Sequence, residues 1–283
     1  MSISASAVLV KLSIATWGAN VVDRVQTDRV LAENNASGNA GKFSKNLMAG
    51  TKKIKELTDF AAMCRTENNR LTLPWEDRGN RLLPTSMFLS YKDKMNEYRN
   101  RFMQMRGDIA YNYDALRQTA RNYLGDMYNE ADYPSVDEVM SKYDWQLVFS
   151  PVPEAGHFFL DIPASELEEV RQSLHKENNT RLQEATRSAW GRLHTTLEGM
   201  ADKLQESTDG KTKRWHDSFV TNVDELCELL SHLNITKDPE LERARQMLQQ
   251  SIAGVKVDTL KLSPTARENL KGKVDNILKE FEW

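Results

Sequence analysis

The sequence has little cysteine and no long apolar run. Only Cys64 and Cys227 occur among 283 residues, so a disulfide framework is not expected and a reducing compartment fits. No stretch of about 18 apolar residues is present, and we therefore predict no membrane span. The fairly apolar segment from Ser6 to Trp17 lacks a basic leader and contains Lys11, which argues against a signal peptide. Together these absences predict a cytoplasmic protein.

The sequence also lacks a large excess of either basic or acidic residues. The chain has 38 basic and 41 acidic residues, and its formal net charge is -3. This balance gives no general electrostatic reason to expect nucleic-acid binding. Charged residues nevertheless make up 28% of the chain, which suits long helices that keep much of their surface in water. The length allows either one elongated domain or two smaller ones.

Two long apolar stripes are among the strongest signals in the sequence. Residues spaced by four and three run from Tyr91 to Met127, and a second series runs from Leu167 to Leu204. Such spacing over about five heptads predicts long helices of the coiled-coil type. Each stripe contains one asparagine, Asn112 or Asn178, and a polar residue in such a stripe often fixes register or partner number.

These stripes define the predicted fold class, which is a mainly α protein. Its spine is a long antiparallel helical hairpin, coiled-coil-like, in which Thr85 to about Met127 lies against Ala164 to about Ser207. A small β element lies at the tip, and shorter helices pack at the base. The predicted parts are an N-terminal strand and helices at 1–84, the hairpin at 85–207, and C-terminal helices at 208–283, within one elongated domain or as separate parts.

Short alternating runs predict the β element. Trp145 to Phe149 and His157 to Ile162 are typical of two strands that form a hairpin at 145–162. The segment around Val8 also alternates, so it is either another strand or a helix. Because a lone hairpin is marginal in water, we expect that segment to complete a three-stranded sheet.

No motif in the sequence supports catalysis, a cofactor or a metal. Gly210-Lys211-Thr212 resembles the end of a phosphate-binding loop, but Gln205 stands where that loop needs glycine. The five histidines are not spaced as zinc ligands. Cys227 has Glu225 and Glu228 close by, and these acids disfavour a reactive thiolate. We therefore predict a non-enzymatic protein without a cofactor; an enzyme of unfamiliar type would need a polar constellation assembled only by folding.

Basic residues that alternate with aromatics mark a candidate nucleic-acid surface. Lys92, Lys94, Arg99 and Arg101 lie among tyrosines and Phe102. Such a mixture can hold single-stranded nucleic acid by phosphate contacts and by stacking. The aromatics lie on the apolar stripe, however, so a solvated helix face is the favoured interpretation.

Two other places are candidate partner-binding sites. Trp75, Asp77 and Arg78 belong to a proline-flanked loop, which either plugs one end of the bundle or binds a partner. Phe281 and Trp283 either dock into a pocket of a partner or belong to the core and to a frayed last turn.

Several short motifs carry a resemblance to a known family. They are Lys11 to Ile14 followed by Trp17, Ala40 to Lys45, the Leu-Pro-Trp-x-Asp-x-Gly-x-Arg-x-Leu-Pro loop at Leu73 to Pro84, and Asp132 to Pro134. With these motifs the chain resembles a family of uncharacterised phage and prophage proteins with long helices. The resemblance covers about two thirds of the chain. It implies a phage gene expressed in a bacterial cytoplasm, and it implies no catalytic residues.

The predicted function follows from these observations. We expect a non-enzymatic phage-type accessory protein that acts by protein–protein interaction or by self-assembly, with a second copy or another phage or host protein as its partner. The alternative is a single-stranded nucleic-acid binding or annealing protein. No membrane and no small-molecule substrate is implied.

Overall fold

Helices dominate the structure, with a small antiparallel sheet beside them. The computed structural model describes residues 3–77, 79–154, 163–205 and 215–283. This composition confirms the predicted mainly α class. Within the described ranges, no helix is long and apolar enough to cross a membrane.

Regular elements follow one another along most of the described chain. The helices are α1 (Ile3–Ser6), α2 (Arg24–Glu33), α3 (Lys53–Leu71), α4 (Phe88–Tyr111), α5 (Tyr113–Leu124), α6 (Val136–Ser141), α7 (Ala164–Leu204), α8 (Ser218–Leu233), α9 (Pro239–Ile252), α10 (Val257–Leu262) and α11 (Pro264–Glu280). The strands are β1 (Ala7–Ala15), β2 (Asn20–Val22), β3 (Ser44–Asn46), β4 (Leu73–Pro74), β5 (Arg81–Pro84) and β6 (Asp144–Pro151).

The chain folds into two compact units. Unit 1 comprises Met1–Lys11, Asn69–Tyr91 and Val148–Trp283. Unit 2 comprises Leu12–Asn68 and Lys92–Leu147. Neither unit is a single stretch of sequence, so this division differs from the three consecutive parts that the sequence predicts.

The small sheet has the strand order β4-β5-β1-β6. β1 pairs antiparallel with β5, where Val8 lies opposite Leu83, and β5 pairs antiparallel with β4, where Leu82 lies opposite Leu73. The strand predicted around Val8 is therefore confirmed, and its other neighbour is β6, which contains the predicted strand that starts at Trp145. The predicted partner strand at His157–Ile162 lies outside the described residues.

In unit 1 the longest helix, α7, has its main contacts with α11, β4 and α8. Its buried stripe occupies the C-terminal half and consists of Ala185, Ala189, Leu193, Leu197, Met200 and Leu204. The facing helix α11 buries Leu270, Val274 and Ile277. In the N-terminal half of α7 the predicted stripe is less covered by described residues, and Val170 is 37% exposed.

In unit 2, α3 and α4 run antiparallel. Three pairs of side chains across the two helices establish this direction: Lys53 with Asp108, Phe60 with Tyr98, and Glu67 with Lys94. As residue numbers rise on α3 they fall on α4. The apolar residues between the pairs, such as Leu57 and Phe102, are fully buried.

The first apolar stripe is interrupted at Asn112. Its side-chain Nδ2 donates to the backbone oxygen of Asp108 at 2.7 Å and competes with the helical backbone for that acceptor. The backbone at Asn112 has φ −97 and ψ 5, and a new helix begins after it. Beyond this break Ala120 and Leu124 are buried, whereas Tyr123, which the sequence places on the stripe, is 70% exposed.

The predicted pairing of the two long stripes is therefore corrected. The first stripe forms α4 and α5, and most of it belongs to unit 2; the second forms α7 in unit 1, where α11 is its main neighbour. The spacing of apolar residues determines that a segment is helical, but it does not specify which surface covers the stripe.

The sequence predicts two helix starts, each from a capping residue followed by proline at Asp238-Pro239 and Ser263-Pro264, and the structure confirms both. The side chain of Asp238 accepts hydrogen bonds from the backbone of Glu240 and Leu241, with Pro239 in the first turn of α9. Ser263 caps α11 in the same manner, ahead of Pro264. The Ser263 cap defines where α11 begins, and the C-terminal end of α11 leads into one of the candidate sites.

Candidate functional site

The loop residues predicted to bind a partner lie in different environments. Trp75 is only 2% exposed, so its ring belongs to the interior of unit 1, whereas Asp77 is exposed. Arg78 lies outside the described residues. The guanidinium carbon of Arg181 on α7 lies 5.8 Å from the centre of the Trp75 ring, and its Nη1 lies 3.8 Å from Glu76 Oε1. These contacts correspond to the plug interpretation of the loop.

Two predicted residues at the end of the chain join two residues of α7. We call Trp190, His194, Phe281 and Trp283 the C-terminal aromatic cluster. The Trp190 ring centre lies 5.8 Å from that of Phe281 and 5.4 Å from that of Trp283, and the His194 ring lies 4.8 Å from Trp283 at an angle of 33°. Phe281 is buried, but Trp283 remains 40% exposed.

Hydrogen bonds hold this cluster in place. Trp190 Nε1 donates to Asp238 Oδ2 at 2.9 Å, which ties the cluster to the start of α9. Trp283 Nε1 donates to the backbone oxygen of Leu278 at 2.9 Å. Because each indole donor has a partner, the exposed face of Trp283 sits on a fixed base, which favours its use as a contact surface.

Two carboxylates lie beside the aromatic cluster. Glu198 Oε2 lies 3.6 Å from His194 Nδ1, and Glu282 is exposed next to Trp283. One nearby cation, Arg243, lies 5.4 Å from the Phe281 ring and is paired with Glu280, and Lys279 is exposed at the end of α11. The carboxylates of Glu198 and Glu282 therefore place negative charge beside the exposed part of Trp283.

A second site is a pair of arginines at the C-terminal end of α3. Arg192 on α7 donates to the backbone oxygens of Arg70 at 2.6 Å, Asn69 at 3.0 Å and Thr72 at 2.6 Å. Arg81 on β5 donates from Nη2 to the same oxygens of Asn69 and Thr72, at 3.4 and 3.3 Å. We call Arg81 and Arg192 the arginine pair.

Burial and mutual repulsion act on this pair. Burial, together with the charges of Arg81 and Arg70, lowers the pKa of Arg192 to about 10. Burial also lowers the pKa of Arg81, and the nearby Tyr91 hydroxyl opposes that shift. The last carbonyls of a helix carry partial negative charge, so the end of α3 supplies part of the compensation.

A third charged group, in unit 2, surrounds Lys45. Its Nζ lies 2.6 Å from Asp132 Oδ2 and 3.1 Å from Asp23 Oδ2, and it donates to the backbone oxygen of Met127 at 2.9 Å. The Lys45 side chain is only 6% exposed. We call Lys45, Asp23 and Asp132 the lysine cluster.

The four predicted nucleic-acid contacts do not share one face. At 100° per residue, Lys92 and Arg99 lie on one flank of α4, and Lys94 and Arg101 lie on the other. Lys94 pairs with Glu67 at 2.5 Å. Arg101 lines a cavity of about 230 Å³ between α3 and α4, together with Lys53, Glu56, Gln104, Met105, Asp108 and Ile109. These four basic side chains therefore form no continuous positive surface along α4.

The two thiols and the possible metal ligands of the described structure complete the survey of reactive side chains. Cys64 and Cys227 are both buried, and burial raises the pKa of each thiol to about 11, which keeps it protonated. Among the described residues no group of histidines, cysteines and acids is arranged to hold a metal. The motif Gly210-Lys211-Thr212 lies outside the described residues.

Fold and sites together define a mainly α protein with a small antiparallel sheet, an aromatic cluster in which Trp283 is partly exposed, and a pair of arginines that share their acceptors. Comparison with protein-family models, with curated proteins and with solved structures finds no match.

Sequence reasoning identified part of these sites. Phe281 and Trp283 are in the aromatic cluster, but Trp190 and His194 were missed, although both flank the α7 stripe at helical spacing from it. Arg81 and Arg192 were missed because 110 residues separate them and the acceptors that unite them are backbone oxygens, which a sequence does not mark. Only folding brings the arginine pair together.

Proposed function

We propose that this protein is a non-enzymatic interaction protein whose C-terminal aromatic cluster docks onto a basic, partly apolar segment of a partner protein. The observation that carries this proposal is Trp283, which is 40% exposed although three rings and a hydrogen bond hold it in place. Fixed, partly exposed tryptophans are frequent anchors of protein interfaces because little conformational entropy is lost when they bind.

Charge determines the chemistry of the proposed partner. Glu198 lies beside His194 and Glu282 precedes Trp283, so an arginine or lysine of the partner meets opposite charge next to the aromatic surface. The cation can also stack on the Trp283 ring, while an apolar neighbour covers the rest of the indole. An acidic partner would meet repulsion at the same place.

The resemblance to phage and prophage proteins supports a bacterial cytoplasm as the place where the protein would act. A phage-type accessory factor in a bacterial cytoplasm would use such a surface on a protein of the phage or of its host. Self-assembly is the competing form of the same function, with a second copy in place of the foreign partner.

Binding to defined peptides tests the proposal. Two labelled synthetic peptides of equal length are used, one alternating arginine with leucine and the other glutamate with leucine, and fluorescence anisotropy is measured at low salt. We expect the basic peptide to bind and Trp283→Ala to weaken binding about tenfold or more. Trp215→Phe, which changes a tryptophan outside the cluster, serves as the matched control and should bind as the wild type does.

Other results would overturn the proposal. Equal affinity for both peptides, or an unchanged affinity after Trp283→Ala, would mean that the aromatic cluster is not the docking surface. Light scattering over a range of concentrations measures the molar mass and so tests whether the protein associates with a second copy of itself. If the wild type is a dimer and Trp283→Ala is a monomer, the aromatic cluster binds a second copy of the chain and the proposal of a foreign partner is wrong.

A further inference from the structure

The arginine pair places two positive charges close together, an arrangement that is unfavourable unless another group balances them. The Nη2 atoms of Arg81 and Arg192 donate to the same two backbone oxygens, those of Asn69 and Thr72, so two positive charges are drawn into one place. Like charges at such proximity repel, and partial burial strengthens the repulsion because less water screens it.

The pair has no carboxylate to balance it in the part of the chain that the structure describes. The hydrogen bonds of both guanidiniums end on backbone oxygens or on Thr72 Oγ1. Arg117 and Arg245, two other half-buried arginines, do have carboxylate partners, Glu130 at 2.8 Å and Glu242 at 2.6 Å. Arg65 and Arg106 donate to backbone oxygens, but neither shares its acceptors with a second described arginine. The arginine pair therefore carries an excess of positive charge.

Donors of the pair also remain available. Arg81 Nη1 and Arg192 Nε donate no hydrogen bond to any described residue, and neither is among the buried polar atoms without a partner. The carbonyls at the end of α3 fix one edge of each guanidinium, which leaves another edge for a ligand. Arg70, whose charge acts on Arg192, adds further positive potential.

We propose that the arginine pair is a binding site for a doubly charged tetrahedral oxyanion of the phosphate type. Guanidinium groups match such an anion because their planar forks donate several charge-assisted hydrogen bonds to its oxygens. Two positive charges favour a dianion over a single carboxylate, which neutralises only one of them. This site is distinct from the C-terminal aromatic cluster and does not depend on the function proposed for it.

Inorganic phosphate is the probe that tests this site. Binding to the full chain is measured by calorimetry at a pH where phosphate is a dianion, with sodium chloride added to keep the ionic strength constant. Acetate provides the monovalent carboxylate for comparison. We expect saturable binding of phosphate and about tenfold weaker binding of acetate.

Variants locate the site. Arg81→Gln should weaken phosphate binding about tenfold or more, because it removes one charge and its donors. Arg99→Gln is the matched control, since Arg99 is an exposed arginine on α4 without a charged partner among the described residues, and it should bind phosphate as the wild type does.

A measurement on the unchanged protein covers the case in which Arg81→Gln does not fold. Phosphate should shift the Nε–H resonance of Arg192 in nitrogen-15 spectra, with saturation at the concentration found by calorimetry. Absence of saturable binding, equal binding of acetate and phosphate, an Arg192 resonance that does not move, or a folded Arg81→Gln variant with full affinity would each overturn the proposal.

Discussion

The lysine cluster of unit 2 and the arginine pair of unit 1 are two opposite solutions to the placement of positive charge away from water. Lys45 is almost fully buried, yet two carboxylates and a carbonyl surround its ammonium group. Arg192 is held by three carbonyls and stands beside Arg81. The first group is balanced internally, and the second is not.

The pKa values show the same contrast. Burial lowers the pKa of Lys45, but the hydrogen bonds and charges of Asp132 and Asp23 outweigh burial and raise it overall. For Arg192, burial and two neighbouring arginines act in the same direction, and they lower the pKa to about 10. A charged group that its own unit stabilises is typical of a structural role, whereas one that remains uncompensated is a candidate for binding.

The largest effect is expected when the cation of the lysine cluster is removed. Lys45→Met leaves Asp23 and Asp132 facing each other without a counter-charge, and we expect the free energy of unfolding to fall by about 3 kcal/mol. Chemical denaturation monitored by circular dichroism measures the change. Lys53→Met is the matched control because Lys53 and Asp108 form an exposed pair, whose loss should change stability by about 1 kcal/mol or less. Equal losses in both variants would show that the lysine cluster is no stronger than a surface pair.

An intermediate effect is expected at Arg192. Arg192→Lys keeps the charge but loses the planar fork that reaches the carbonyls of Asn69, Arg70 and Thr72, so the free energy of unfolding should fall by about 1 to 2 kcal/mol. The same denaturation experiment measures it, with the exposed Arg99→Lys as the control. A loss as large as that of Lys45→Met would remove the contrast between a balanced and an unbalanced cation.

Helix positions and caps could be predicted from the sequence, because they depend on local features. The spacing of apolar residues predicted α7 and most of α4, and Asp238 and Ser263 predicted the starts of α9 and α11. The break at Asn112 was not predicted, although asparagine competes with backbone acceptors inside a helix. That residue was interpreted instead as a polar position within one continuous stripe.

The partners of each element could not be predicted in the same way. Spacing does not determine whether α7 packs against α11 or against another long helix, since either offers an apolar surface. For the sites, aromatic residues near the end of the chain indicated half of the C-terminal aromatic cluster. The arginine pair and the lysine cluster depend on contacts between residues far apart in the sequence, such as Lys45 and Asp132, and these arise only from the tertiary fold.

The smallest expected effect is the loss, at acidic pH, of the stability that the Asp23 carboxylate contributes. A backbone hydrogen bond from Gln26, followed by the interaction with Lys45, lowers the pKa of Asp23 below its ordinary value of 3.8. A carboxyl whose pKa is lower in the folded state contributes stability above the unfolded value, and that contribution is lost as pH falls through the folded value. Asp23→Asn should therefore be less stable than the wild type at neutral pH, and the difference should shrink below pH 3.8.

Denaturation curves at several pH values between neutral and strongly acidic conditions measure this difference. Asparagine can still cap α2, so the pH-dependent part of the difference reports the ionic contribution of Asp23 to the lysine cluster. No such dependence is expected for Arg192→Lys, because its charge is unchanged over this range. A difference between Asp23→Asn and the wild type that stayed constant down to the lowest pH would mean that the Asp23 carboxylate does not balance Lys45, and the lysine cluster would then resemble the arginine pair.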